Sequence, residues 1–179
     1  MTIIVAYRDD ARGEVWIGSD SRVTSDRFVW PETAKKWLDC GRWVIGISGS
    51  AMTARVIRDK APDLRKCETA EGVADILMAE FKERDFKRCD HNGPPCYEQD
   101  LIIATKSEVF SVAGNGIVAA PDHGFAAVGS GDDFAYGAAY AIMSVAQGEI
   151  SGDAICRLAI EAACQYSSDC GGKIVVEKV

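Results

Sequence analysis

The apolar positions of the chain change period several times. Residues 3–8 and 14–19 run or alternate in strand fashion, split by Asp9-Asp10-Ala11-Arg12-Gly13, which predicts a hairpin. The stretch from Asp20 to Pro31 is polar and reads as a loop. Residues 34–39 and 42–48 predict a second strand pair around Asp39-Cys40-Gly41. After Ser48-Gly49-Ser50 the spacing becomes helical through Met52, Ala54, Val56 and Ile57, then Asp63 and Leu64, with an end or bend near Pro62. Thr69 is placed to cap a second helix carrying Val73, Ile76, Leu77, Glu80 and Phe81. Residues 89–99 read as a loop marked by Asn92-Gly93-Pro94-Pro95. Strands follow at 100–105, 108–113, 116–119 and 124–128. Gly129-Ser130-Gly131-Asp132-Asp133 leads into a helix through Ala135, Ala138, Ala139, Ala141 and Ile142. Another helix follows Ser151-Gly152-Asp153, with Ile155, Leu158, Ala159, Ala162 and Ala163 on one side, and a strand from Lys173 to Val176 closes the chain.

Strands, a helix pair, strands, a helix pair and a last strand predict the α+β class rather than the alternation of a parallel sheet. Two antiparallel sheets face to face, with a helix pair on each outer side, would bury every apolar stripe. The 179 residues fit one domain, 1–179, with no internal repeats or low-complexity segments.

A net charge of −7 argues against a sequence-independent grip on nucleic acid. No basic amphipathic stretch points to a membrane surface, and no apolar run reaches the ~18 residues of a membrane span. Arg8, Asp9, Asp10 and Arg12 interrupt the N-terminus before a signal-peptide core can form, so a cytoplasmic location is expected. The seven cysteines then read as reduced thiols. Cys89, His91 and Cys96, with Cys67 as a distant recruit, do not have the tight pair spacing of a zinc site, and an ordinary polar loop is the expectation. Gly129-x-Gly131 lacks the third glycine and the lysine of nucleotide-binding loops. Neither a metal nor a cofactor is expected.

The candidate chemistry is at the N-terminus. Once Met1 is removed, Thr2 carries a hydroxyl and, on the same residue, an α-amine able to act as its base. A free α-amine titrates at about 7.7–8.0, close to neutral pH, where a general base works best. No separate histidine is required. The chain has just two, His91 and His123, both in loop-like stretches, and no G-x-S-x-G elbow supports a serine triad. Read from its surroundings alone, Thr2 is a plain strand-starting residue.

Six segments in order sharpen the choice. They are Thr2-Ile3-Ile4-Val5-Ala6; Ile17 to Thr24; Lys35-Lys36; Ile47-Ser48-Gly49-Ser50-Ala51; Ala127 to Gly131 with Tyr136-Gly137-Ala138-Ala139-Tyr140; and Gly171 to Val176. Together they resemble a proteasome β-type subunit, most closely the bacterial HslV-type peptidase, nearly end to end. The resemblance implies the N-terminal-nucleophile hydrolase fold, a four-layer αββα sandwich. It also implies a threonine-type endopeptidase working on unfolded polypeptide inside stacked homo-oligomeric rings, fed by an ATP-dependent unfoldase.

By the same resemblance, Thr2 is the nucleophile, Asp20 pairs with Lys36 beside it, the Gly49 N–H stabilises the oxyanion, and Ser130 sits near the α-amine. Ser21, Val23, Thr24, Ile47 and Ala51 would line the substrate groove. Local readings stand beside these: a turn aspartate and a solvated lysine, a helix-leading turn at Gly49 capped by Ser48 or Ser50, and an N-cap at Ser130. Lys35 competes with Lys36, and since strand neighbours face opposite sides just one can point at Thr2. One stretch departs from the family. Where its β subunits carry an aspartate, two residues and a serine before the Gly-Gly pair, this chain has Ser167-Ser168-Asp169-Cys170. That departure, or retention of Met1, would suit a structural ring subunit without activity. A small-molecule amidase on the same fold is the further alternative.

Overall fold

The computed structural model describes residues 2–25, 28–30, 35–89, 96–146 and 148–179, with the backbone alone at 24–25 and 28–30. The strands β1 (Ile4–Asp9) and β2 (Glu14–Ser19) form the expected antiparallel hairpin, Ile4 facing Ser19 and Asp9 facing Glu14. A two-stranded ribbon follows, β3 (Val23–Ser25) and β4 (Phe28–Trp30). This corrects the expected loop over Asp20–Pro31: strands of three residues are too short to display a period in so polar a stretch. The next pair is β5 (Trp37–Asp39) and β6 (Val44–Ile47). The predicted strand over 34–39 is thus shorter, and residues 31–34 lie outside the described ones.

Helix α1 (Met52–Leu64) ends two residues past Pro62, as expected. The proline removes one hydrogen bond to the preceding turn, and the helix stops within two residues of it. Helix α2 (Ala70–Glu83) is capped by Thr69, whose hydroxyl accepts from the Gly72 N–H at 3.2 Å. Strands β7 (Leu101–Ala104), β8 (Val109–Val112), β9 (Val118–Ala119) and β10 (Phe125–Val128) lead to α3 (Asp132–Ala146) and α4 (Gly152–Tyr166). Strand β11 (Val175–Lys178) closes the chain two residues later than the apolar run suggested.

The strands make a four-stranded sheet in the order β10-β1-β2-β11 and a five-stranded sheet in the order β5-β6-β7-β8-β9, antiparallel throughout. Alternation along single strands sets the layers. Ile3 and Val5 face α3 and α4, while Ile4 and Ala6 face the second sheet. Ile102 and Ala104 meet them from β7, whose Leu101 and Ile103 face α1 and α2. Strands buried on both faces read as unbroken apolar runs, which is why Ile3-Ile4-Val5-Ala6 and Leu101-Ile102-Ile103-Ala104 show no polar alternation. Glycine lets the sheets close up. A Cβ on Gly46 would stand 2.9 Å from Cγ2 of Ile4. The result is α+β, a four-layer αββα sandwich. No helix among the described residues is long and apolar enough to cross a membrane.

Candidate active site

The β1–β2 hairpin register continues one step past its last strand pair and sets Asp20 across from Ile3, so the Asp20 N–H donates to the Ile3 carbonyl at 3.3 Å. The fully buried Asp20 side chain turns back over the start of β1. Its Oδ1 accepts from the Thr2 hydroxyl at 3.1 Å, the Ile3 N–H at 3.0 Å and the Lys36 ammonium at 2.5 Å. Its Oδ2 accepts from the Gly171 N–H at 3.0 Å. One carboxylate therefore ties together three separate stretches of chain and holds the buried Thr2 side chain by its oxygen.

Lys36 reaches the site from the start of β5, where the Ile47 N–H donates to its carbonyl. Its side chain is just 9% exposed, and Nζ also donates to the Arg22 carbonyl at 2.6 Å. Burial pushes its pKa below that of an ordinary lysine, and Asp20 works in the opposite direction. Lys35 faces the other way. It pairs with Glu177 on the surface and lies over the Trp37 ring. Because the unfolded chain holds this proton more tightly than the folded one, folding stability should rise with pH between the depressed Lys36 pKa and the ordinary 10.5. A Lys36→Met variant should show a flatter profile there, measured by urea unfolding across alkaline pH.

Gly129 lets the β10–α3 turn cross Thr2. Its φ is +113°, and a Cβ there would stand 2.2 Å from the Thr2 carbonyl oxygen. Ser130 follows, with its hydroxyl donating to that carbonyl at 3.4 Å and lying 3.9 Å from the Cys170 sulfur. The hydroxyl thus faces Thr2. Cys170 is fully buried, which pushes its thiol up and keeps it neutral. The Ser167–Gly171 turn is tied down by Arg22, whose N–H donates to the Gly171 carbonyl and whose guanidinium donates to that of Ser168. Asp169 makes no hydrogen bond to Thr2, Ser130 or Lys36. Its N–H donates to the Ser167 hydroxyl.

The turn leaving β6 has Gly49 at φ +95°, where a Cβ would stand 2.4 Å from the Glu98 carbonyl. Among the described residues the Gly49 N–H makes no backbone hydrogen bond. The N-cap of α1 is Ala51, with no side-chain cap among the described residues, rather than Ser48 or Ser50; the Ser50 hydroxyl does accept from the Met52 N–H.

Sequence reasoning missed Gln99. This buried side chain accepts on Oε1 from the Ser50 N–H at 2.8 Å and the Thr53 hydroxyl at 2.7 Å, and so holds the turn. No spacing rule marks a glutamine just before a strand. Gln99→Ala should destabilise the fold by about 1–3 kcal/mol, as two buried donors lose their acceptor. It should also lower kcat on a peptide more than it raises KM. Urea unfolding and steady-state kinetics check both effects.

The expected groove residues differ in burial and contacts. Ser21 is buried and its hydroxyl accepts from the Lys173 N–H at 2.7 Å. Ile47 leans on the α1–α2 layer, Ala51 is exposed, Val23 is half-buried, and the Thr24 side chain lies outside the described residues. Two surface clefts of about 390 and 270 Å³ lie elsewhere. One is lined by Arg8, Asp122, His123 and Tyr140 and the other by Lys35, Trp37 and Glu177, and neither takes in Thr2. Among the described residues no group of three or more His, Cys, Asp or Glu is placed to hold a metal ion, and His91 lies outside them.

This architecture is the proteasome-like N-terminal-nucleophile hydrolase fold. It is shared over nearly the whole chain with BPH of Thiobacillus denitrificans, at TM-score 0.82 and 22% identity, covering 99% of this chain and 97% of that one. The same protein in complex with epoxomicin gives TM-score 0.79 at 22% identity, with 99% and 98% covered. Eukaryotic HslV from Trypanosoma brucei gives TM-score 0.77 at 24% identity, again over 99% and 98%. No protein-family model matches the chain.

Proposed function

We propose that the chain is a threonine-type endopeptidase subunit, with Thr2 as N-terminal nucleophile after removal of Met1. The observation that carries this reading is the Asp20 carboxylate, buried and bonded at once to the Thr2 hydroxyl and the Lys36 ammonium. An isolated buried lysine is costly, so the pair fixes a positive charge beside Thr2. The Lys36 charge disfavours protonation of the α-amine and favours ionisation of the hydroxyl, while the Asp20 carboxylate offsets part of that effect and orients the hydroxyl.

In the proposed reaction the amine takes the Oγ proton as Oγ attacks the peptide carbonyl. The Gly49 N–H stabilises the oxyanion. The proton passes to the leaving amine, and water then releases the acyl group from Thr2 by the reverse route. Ser130 positions the Thr2 backbone and with it the amine. The complex of Thiobacillus BPH with epoxomicin adds support, since it shows that a chain of this fold takes up such a compound.

Assembly into stacked homo-oligomeric rings is part of the proposal. Helices α3 and α4 expose Phe134, Tyr136, Tyr140, Leu158 and Tyr166, with Phe134 stacked on Tyr166. An apolar set of this kind suits subunit contacts. Rings would enclose the sites, admit unfolded polypeptide, and leave ATP to a partner unfoldase.

The position of Asp169 favours a second reading, a ring subunit without turnover. The same experiment separates the two: intact mass of the purified protein together with hydrolysis of a fluorogenic peptide. Loss of Met1 with turnover, rising with pH as the α-amine deprotonates near its usual value of about 7.7–8.0 or below, is expected of the peptidase. An unprocessed, inert, ring-forming chain would establish the scaffold instead.

A further inference from the structure

The segment between α2 and β7 folds back on itself at one place. The Glu98 N–H donates to the Lys87 carbonyl at 3.1 Å and the Cys89 N–H to the Cys96 carbonyl at 2.9 Å, with Arg88 facing Tyr97 in an antiparallel bridge. This register sets Cys89 directly opposite Cys96. Residues so opposed have Cα atoms roughly 4.5–5.5 Å apart, within the span a disulfide bridges. The two sulfurs lie on the same side, 2.7 Å apart, on half-buried residues. No other two cysteine sulfurs among the described residues come into hydrogen-bonding contact.

The strand leaving Cys96 runs directly under the turn at Gly49. The Tyr97 N–H donates to the Gly114 carbonyl and its ring meets Phe81 edge-on. The Glu98 carbonyl abuts Gly49, and Gln99 holds Ser50 and Thr53.

We infer that Cys89 and Cys96 are a thiol–disulfide site whose closure staples the shelf beneath the Gly49 turn, the oxidant being a low-molecular-weight disulfide. One thiolate attacks that disulfide, forming a mixed disulfide and expelling one small thiolate. The second cysteine then attacks the protein-side sulfur, closing the Cys89–Cys96 bond and expelling the other small thiolate. The two cysteine protons end on the two released thiols, so the balance is complete. The Cys96 thiol is pushed up to about 11, first by its hydrogen bond with Cys89. Exchange therefore quickens as pH rises toward that value.

The test is equilibration of the full chain in buffers of graded reduced-to-oxidised glutathione ratio, acid quench, alkylation and peptide mapping by mass spectrometry. The expected result is a Cys89–Cys96 link that forms at a less oxidising ratio than any modification of the other five cysteines. In Cys89→Ser and in Cys96→Ser, the remaining thiol should instead carry glutathione. Oxidation should slow hydrogen exchange at residues 49–53 in the wild type and leave it unchanged in Cys96→Ser. Glutathione retained on wild-type Cys89 or Cys96 without the link, links from either residue to another cysteine, or exchange at 49–53 unmoved by the link would each overturn the inference. None of these readouts requires turnover, so they stand or fall separately from the peptidase reading.

Discussion

Thr2→Ala is expected to leave a folded protein that no longer hydrolyses peptides, with kcat/KM down by at least about 10⁴-fold, the scale seen when an acyl-transfer nucleophile is removed. The structure separates this loss from any loss of fold. The Thr2 hydroxyl is one of four donors to the Asp20 carboxylate among the described residues, and the Ile3 N–H, Lys36 and Gly171 keep their places without it. Removing that one hydrogen bond should change stability by just about 0.5–1.5 kcal/mol. Thr2→Ser keeps both hydroxyl and amine and should retain most of the activity. Peptide hydrolysis beside a urea melt of each variant checks the pair of effects. Activity retained in Thr2→Ala would assign the chemistry to another residue.

The second large effect belongs to Asp20. Asp20→Ala leaves the Lys36 ammonium buried with, among the described residues, the Arg22 carbonyl alone as its acceptor, and strips the Thr2 hydroxyl and two backbone N–H groups of theirs. Breaking a buried pair in this way destabilises by about 3–5 kcal/mol, enough to unfold a marginal domain. Lys36→Met should be milder in stability, because Asp20 keeps three donors. It should be equally severe in turnover, because the fixed charge beside Thr2 is gone. Urea unfolding and peptide hydrolysis of the two variants, compared with each other, test this ordering. If Lys36→Met proved the less stable of the two, the carboxylate would not be the hub described here.

The layers were legible because they follow from the spacing of apolar residues. Ile3 to Ala6 and Leu101 to Ala104 can be buried continuously just where both strand faces are covered, and the helical spacing at Val73, Leu77 and Phe81 supplies one cover. The β3–β4 ribbon was not legible, because three-residue strands carry no period. Pro62 marked the end of α1 to within two residues, because a proline removes a helix hydrogen bond and crowds the preceding turn. At the site, Thr2, Asp20, Lys36 and Ser130 do come together, but spacing alone could not have shown it. Residues 2, 20, 36 and 130 meet through sheet register, and the motifs of a resembling family pointed to them. Gln99 had no such pointer, since its role arises from β7 lying beside β6. Nor did the pairing of Cys89 with Cys96, which depends on the register of a short bridge between α2 and β7.

The central claim is that the base is the free nitrogen of Thr2. The most direct measurement compares two forms of the same assembled protein, one beginning at Met1 and one at Thr2, separated and verified by intact mass, in a single peptide-hydrolysis assay. The account predicts turnover confined to the form beginning at Thr2, because in the other that nitrogen is an amide. Equal turnover by the form that retains Met1 would contradict it.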